Sequence, residues 1–188
     1  MGKVIGLLVV LSGLIWAQSF SLDMSHSRIG FSVKYMMMSK VYGQFDQAVS
    51  TLNIKNGKPT SVSAKITVDS ISTHNQKRDA HLKSDDFFNE PEYPTISFVA
   101  DRIEASGDGY VAIASLTMHG IKRDISIPFY VSKPYTNQKG QTRIAVQGNT
   151  QINRKDFGIL YSKKMDNGGL VIDDFVTIEL DLQYISNG

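Results

Sequence analysis

Ile29-Gly30-Phe31-Ser32-Val33-Lys34-Tyr35 alternates large apolar side chains with small or charged ones at a period of two. Successive side chains of a strand point to opposite faces, so this spacing gathers Ile29, Phe31, Val33 and Tyr35 on one face and leaves Gly30, Ser32 and Lys34 on the other. The alternation returns along the chain. Val62, Ala64, Ile66 and Val68 stand against Ser61, Ser63, Lys65 and Thr67. Ile96 and Phe98 follow, then Ile125, Ile127, Phe129 and Val131, then Ile144, Val146 and Gly148, and finally residues 175–184. Between these segments lie Asn56-Gly57-Lys58-Pro59, Glu90-Pro91-Glu92, Ser106-Gly107-Asp108-Gly109, Asn137-Gln138-Lys139-Gly140 and Asp166-Asn167-Gly168-Gly169. Such residues close hairpins and short loops. The pattern predicts an all-β chain of eight or nine strands. Short connections make neighbouring strands antiparallel, because a parallel pair needs a crossover of about a dozen residues or more.

One segment departs from this pattern. In residues 76–88, Asp79, Leu82 and Asp86 fall at helical spacing and Phe87-Phe88 closes the stretch, which predicts one short helix followed by a turn over residues 90–94. Antiparallel strands with one apolar face form either a two-sheet sandwich or a closed barrel, and the pattern fits both. A membrane-spanning barrel would reverse the polarity, with an apolar outer band and a polar lumen. Lys65, Lys122, Arg123, Lys133 and Arg143, scattered along or beside the strands, argue against it.

The N-terminus carries a separate signal. Lys3 is followed by residues 4–16, apolar except for Gly and one Ser, and then by the small-residue site Ala17-Gln18-Ser19. This is the pattern of a secretory signal peptide, and the apolar run is shorter than the roughly 20 residues that a membrane-spanning helix requires. The expected organisation is a leader over residues 1–19 and one domain over residues 20–188, exported to the periplasm. With no cysteine anywhere, neither lipoprotein anchoring nor a disulfide framework is available, and the core alone must hold the fold. Lys and Arg number 20 against 18 Asp and Glu, dispersed along the chain. That balance gives no electrostatic case for binding nucleic acid or an anionic membrane.

Four blocks stand out together. The first is Asp23-Met24-Ser25-His26-Ser27-Arg28-Ile29-Gly30-Phe31-Ser32-Val33-Lys34, with Val41-Tyr42-Gly43-Gln44-Phe45 after it. The second runs Ser70-Ile71-Ser72-Thr73-His74-Asn75-Gln76-Lys77-Arg78-Asp79-Ala80-His81-Leu82-Lys83-Ser84-Asp85-Asp86-Phe87-Phe88 and on to Tyr93-Pro94-Thr95-Ile96-Ser97-Phe98. The third is Leu116-Thr117-Met118-His119-Gly120. The last is Ile152-Asn153-Arg154-Lys155-Asp156-Phe157-Gly158, followed by Asp173-Asp174-Phe175-Val176-Thr177-Ile178. In this order, from Phe20 onward, they resemble the YceI-like family of bacterial periplasmic proteins, also described as polyisoprenoid-binding proteins. The resemblance implies a lipocalin-like eight-stranded antiparallel β-barrel with a helix nearby and a long apolar tunnel. It also implies a bound isoprenoid or fatty-acyl ligand and, often, a homodimer. Family members are not known as enzymes with an agreed reaction. Tyr35, where many relatives have His, and the run Met36-Met37-Met38 depart from the family pattern near the implied tunnel, which bears on ligand identity.

The interior of an eight-stranded barrel is just wide enough to be filled by side chains or to hold one small ligand. Phe31, Phe45, Phe87, Phe88, Phe98 and Phe157 are the largest candidates for its lining, with Val33 and Leu82 beside them. Arg78, Asp79 and His81 lie together on the helix, and Asn153 and Arg154 at the end of a strand. If these clusters meet at one mouth, Arg78 would hold an anionic or amide head group, with His81 and Asn153 as adjustable donors or acceptors. The alternative is an Arg78–Asp79 ion pair capping the barrel and an Asn153 that satisfies a turn. Met36 to Met38 suit flexible filling against a tail or core better than a soft metal site. His26, His74, His81 and His119 lack zinc-site spacing, so neither a metal nor a cofactor is expected. The chain has no Gly-x-Ser-x-Gly elbow, phosphate loop or cysteine nucleophile. The expected role is carriage of a hydrophobic small molecule, without nucleic acid and without stable membrane insertion. One alternative is an enzyme on such a lipid, with His81, Asp79 and Arg78 transferring protons; the nearness of His81, Asp79 and Ser84 resembles a triad only superficially, since adjacency in sequence says little about triad geometry. The other is a filled, purely structural barrel.

Overall fold

The computed structural model describes residues 17–162 and 171–187. The chain winds through eight long strands. Strand β1 is Ala17–Leu22 continued by Arg28–Tyr35, β2 is Ser39–Phe45 continued by Ala48–Lys55, and β3 is Lys58–Thr67 continued by Ile71–Ser72. Then come β4 (Thr95–Ser106), β5 (Gly109–Met118), β6 (Ile121–Val131), β7 (Thr142–Asn153) and β8 (Ile172–Ser186). Each pairs antiparallel with its sequence neighbours.

Closure rests on the last strand. One edge of β8 pairs with β7 along its length, as in Gly148 opposite Leu180. Its other edge takes both halves of β1, with Leu22 opposite Tyr184 and Phe31 opposite Ile178. No strand is left at an open edge of the ring, so the architecture is an up-and-down barrel and not a sandwich. Lys65, Lys122 and Arg123 lie exposed on its outside.

The breaks in β1, β2 and β3 lie side by side, at the short 3-10 turn Met24–His26, at Asp46-Gln47, and at the 3-10 turn Val68–Ser70. Asp23 pins the first. Its carboxylate accepts from Ser25 Oγ at 2.6 Å, from His26 Nδ1 at 2.9 Å and from Arg143 Nη1 of β7 at 2.9 Å. Ser25's hydrogen bond foremost, then those of His26 and Arg143, outweigh the opposing effect of burial and hold the Asp23 carboxyl at about 2, below its ordinary 3.8. The unfolded chain therefore takes up this proton first, so the contribution is complete above about pH 4 and fades as pH falls toward 2. Unfolding free energies measured in urea between about pH 5 and pH 2 are expected to decline over that window. In Asp23→Asn the same window flattens.

The two ends of the barrel differ. At one, the tight turns at Asn56-Gly57 and Gly107-Asp108 close hairpins. At the other lie the turn at residues 36–38, the long connection over residues 73–94, the turn at His119-Gly120 and the connection leaving Asn153. The long connection holds the single α-helix of the described residues, α1 (Gln76–Lys83). Asn75 caps it by accepting from the Arg78 amide at 3.0 Å, and Asp79 sits in its first turn. The helix stops earlier than the predicted 76–88. The Ser84 amide and hydroxyl both donate to the His81 carbonyl, at 3.2 and 2.8 Å, which ends the i to i−4 ladder. Phe87 and Phe88 follow in tight turns. Lys83 Nζ bonds Asp69 Oδ1 at 2.8 Å and fastens the helix to the β3 break.

Candidate functional site: a one-ended cavity

Apart from Ser50 and the Tyr184 hydroxyl, the inward phase of the strands is largely apolar, yet the barrel is solid only in part. Toward the Asn56-Gly57 end, Phe20, Ala100 and Ile144 are 2, 1 and 3 % exposed and fill the interior. Toward the helix end the inward side chains of Phe31, Ile66, Phe98, Ile125, Ile178 and Leu180 are only half-buried, because they face an empty chamber instead of one another. That chamber has a volume of about 680 Å³. It is a pocket with a floor, where the family resemblance implied a tunnel.

Tyr184 and Ser50 form the polar part of the floor. Ser50 Oγ donates to the Ser63 carbonyl at 2.8 Å, so the Tyr184 hydroxyl is the donor in its 2.8 Å bond to Ser50. Burial pushes the Tyr184 phenol up in pKa, opposed by the Ser50 hydrogen bond, so the hydroxyl keeps its proton. Higher on the wall, Gly43 lies opposite Phe31 across the β1–β2 ladder. A Cβ there would stand 2.3 Å from the Phe31 ring, so the bare backbone is what lets the ring pack against the wall.

At the open end the lining turns polar, with Asn75, Lys77, Arg78 and His81 from the helix segment and Tyr35 and Tyr161 across from them. Arg78 and Asp79 do not pair with each other, contrary to the capping ion pair considered above. Both converge on Thr73, which is 4 % exposed. Arg78 donates from Nε to Thr73 Oγ1 at 2.7 Å and from Nη2 to the Thr73 carbonyl at 2.9 Å. Asp79 accepts from the Thr73 amide at 2.9 Å and from its hydroxyl. This anchoring fixes the Arg78 guanidinium at the rim, and among the described residues Nη1 has no partner. His81 takes its carboxylate partner from Asp86, at 2.7 Å from Nε2, and its ring meets Phe87 and Tyr161 edge-on at 5.0 Å. Since Ser84 bonds the His81 backbone carbonyl, no His81–Asp79–Ser84 relay is assembled.

Of the residues named in advance, Phe31, Val33, Phe45, Arg78, His81, Leu82, Phe87, Phe88 and Phe98 line the cavity together. Asp79, Asn153 and Phe157 do not. Asp79 is turned to Thr73. Asn153 caps the 3-10 turn Arg154–Phe157 by accepting from the Lys155 amide at 3.0 Å, and Phe157, 1 % exposed, is packed in the core. Arg154, next to Asn153, turns inward instead. It is 4 % exposed and lines the cavity, donating to the carbonyls of Asp173 and Ile159 at 3.0 and 2.8 Å and to Asp174 Oδ1 at 3.2 Å. Burial works against its charge, and Asp174 and then Asp173 support it. The readable signal for Tyr184 was its place on the inward phase of the last strand; Lys77, Asn75 and Tyr161 had none.

The model of the YceI-like domain matches residues 20–184. The chain belongs to the YceI-like family. A UPF0312 protein of Staphylococcus aureus (strain MSSA476) is 32 % identical over 171 residues, covering 88 % of this chain and 96 % of the relative. Among solved structures, BcnA of Burkholderia cenocepacia superposes with a TM-score of 0.75 at 21 % identity, over 86 % of this chain and 98 % of that one. A polyisoprenoid binding domain from Saccharophagus degradans superposes with a TM-score of 0.63 at 19 % identity, over 89 and 98 % of the two chains. These likenesses establish the YceI-like barrel as the fold.

Proposed function

We propose that this YceI-like protein carries one long apolar molecule, an isoprenoid or fatty-acyl lipid, and releases it chemically unchanged. The observation that supports this reading best is the half-empty barrel, apolar on its walls and polar only at its rim and at one spot on its floor. Burial is worth about 0.8 kcal/mol per methylene. A tail of roughly 15 carbons therefore gains on the order of 12 kcal/mol, against association costs of roughly 4 to 15 kcal/mol. The surplus suits reversible holding. Such a wall discriminates weakly between tails, so orientation falls to the head group, which Arg78 Nη1 and Lys77 receive at the rim.

Native mass spectrometry of the purified protein is expected to show a co-purified hydrophobic adduct. A bare chain that also takes up no added polyprenyl or fatty-acyl probe overturns the reading, and conversion of that probe on long incubation points to an enzyme instead. Lys77 is exposed and makes no salt bridge among the described residues, so Lys77→Ala should weaken a carboxylate-headed probe about fivefold and leave the matching alcohol unchanged. The periplasmic setting is part of the proposal. It rests on the leader of residues 1–19, of which residues 1–16 lie outside the described residues, and the N-terminal mass of the exported protein tests it. The homodimer implied by the resemblance is tested by light scattering.

A further inference from the structure

We infer that the mouth of the cavity docks on an anionic lipid surface, with the turn between β1 and β2 as the inserting tip. Met38 donates its amide to the Tyr35 carbonyl at 3.1 Å, and Met36 and Met37 between them have φ of 51° and 57°. Two central residues at positive φ define the hairpin turn that favours Asn-Gly, and this chain uses that pair at the opposite end, where Asn56 and Gly57 have φ of 54° and 73°. Two methionines in the same conformation are strained. Met37 and Met38 are also wasted as core, at 71 and 83 % exposed, while Met36 is half-buried. Just behind them, Lys34 and Lys40 face each other directly across the ladder, and like charges in that position repel. Neither makes a salt bridge among the described residues.

Three unfavourable choices at one hairpin tip become favourable together in one environment. Methionines enter the apolar layer of a bilayer while the lysines behind them meet lipid phosphates. Phe175, 51 % exposed, and Leu160, 64 % exposed, lie at the same end of the barrel. Of the acidic side chains at this end, Asp156 and Asp173 make no salt bridge among the described residues, and the others are paired or belong to the helix connection. Asp174 is bound to Arg154 and Lys155, while Asp85, Asp86, Glu90 and Glu92 sit on the helix connection. The basic character is that of the hairpin tip, where Lys34 and Lys40 stand opposite each other with no salt-bridge partner among the described residues. The docking partner is a membrane and not a protein because the cargo itself resides in bilayers, a step that rests on the carrier reading above.

Flotation of the mature full-length chain with vesicles tests this directly. Binding is expected to vesicles of equal parts phosphatidylglycerol and phosphatidylethanolamine, falling with added salt, and to be far weaker to pure phosphatidylcholine. Lys34→Gln and Lys40→Gln should each weaken it about fivefold. The triple change Met36→Asn, Met37→Gly, Met38→Ser should cut it tenfold or more while raising the thermal midpoint by about 2 to 4 °C, which separates docking from folding. Equal flotation of the triple variant and the parent overturns the inference and leaves the turn as a protein contact, as does indifference to phosphatidylglycerol. Uptake of a fluorescent fatty acid from vesicle-free solution is read in parallel. Vesicle binding without uptake defeats the carrier reading alone, and uptake without vesicle binding defeats the docking alone.

Discussion

Ala64→Phe is expected to shorten the longest chain the barrel accepts. Ala64 lies on β3 opposite Ser50 and Phe98, is only half-buried, and lines the cavity just above the Tyr184–Ser50 floor. A ring placed there occupies the space of the last few carbons of a tail. Excluding about three methylenes forfeits roughly 2.4 kcal/mol, on the order of a 50-fold loss of affinity for the longest probes. Short probes that never reach the floor should bind as before. The ring fills a void instead of crowding packed neighbours, so the thermal midpoint is expected to hold or rise. A titration series of fatty acids of increasing length, read by displacement of a fluorescent probe, gives the cutoff directly. Equal affinities of variant and parent at every length would mean that tails do not reach the floor.

Arg154→Met is expected to be the most destabilising single change at the site. The guanidinium joins the start of β8, through Asp173 and Asp174, to the connection at Ile159, with three donors used in three directions. Methionine restores the volume but leaves the carbonyls of Ile159 and Asp173 without these donors. Breaking a buried ionic network of this kind costs about 3 to 5 kcal/mol. At roughly 2 to 4 °C per kcal/mol, the midpoint should fall on the order of 10 °C. Arg154→Lys keeps the charge but not the fork, and should recover only part of the loss. Differential scanning fluorimetry of the variants decides this, and a midpoint unchanged in Arg154→Met would mean the network carries no net stability.

Much of the wall was legible in the sequence because strand periodicity is a local property. Ile29, Phe31, Val33 and Tyr35 all line the cavity, as their spacing required. Phase also explains Phe175, which heads the last alternating run but falls on its outward face. Closure was not legible, because it depends on β8 reaching back to β1, pairs separated by nearly the whole chain. The chemistry of the rim was harder still. Thr73 and Arg78 are only five residues apart, but their pairing depends on the backbone path from the β3 break into the helix, which neither the period-two nor the helical pattern specifies. Arg154 stood out with Asn153 at the end of its strand, but its burial was not legible, because a buried cation interrupts a pattern instead of extending it. Phe157 looked like lining by size alone, but it lies in a 3-10 turn, where the period-two rule does not apply.

The solid base formed by Phe20, Ala100 and Ile144 has a kinetic consequence. A barrel open at both ends is a conduit, with cargo arriving at one opening while it leaves by the other. This one has a single doorway among the described residues, so on the carrier reading a donor and an acceptor would use it in turn. Under the carrier reading proposed above, transfer by such a protein would follow ping-pong kinetics: load, detach, travel, unload, with the empty form as an obligatory intermediate. Its throughput is then set by how quickly the same rim lets go of one surface and finds the next.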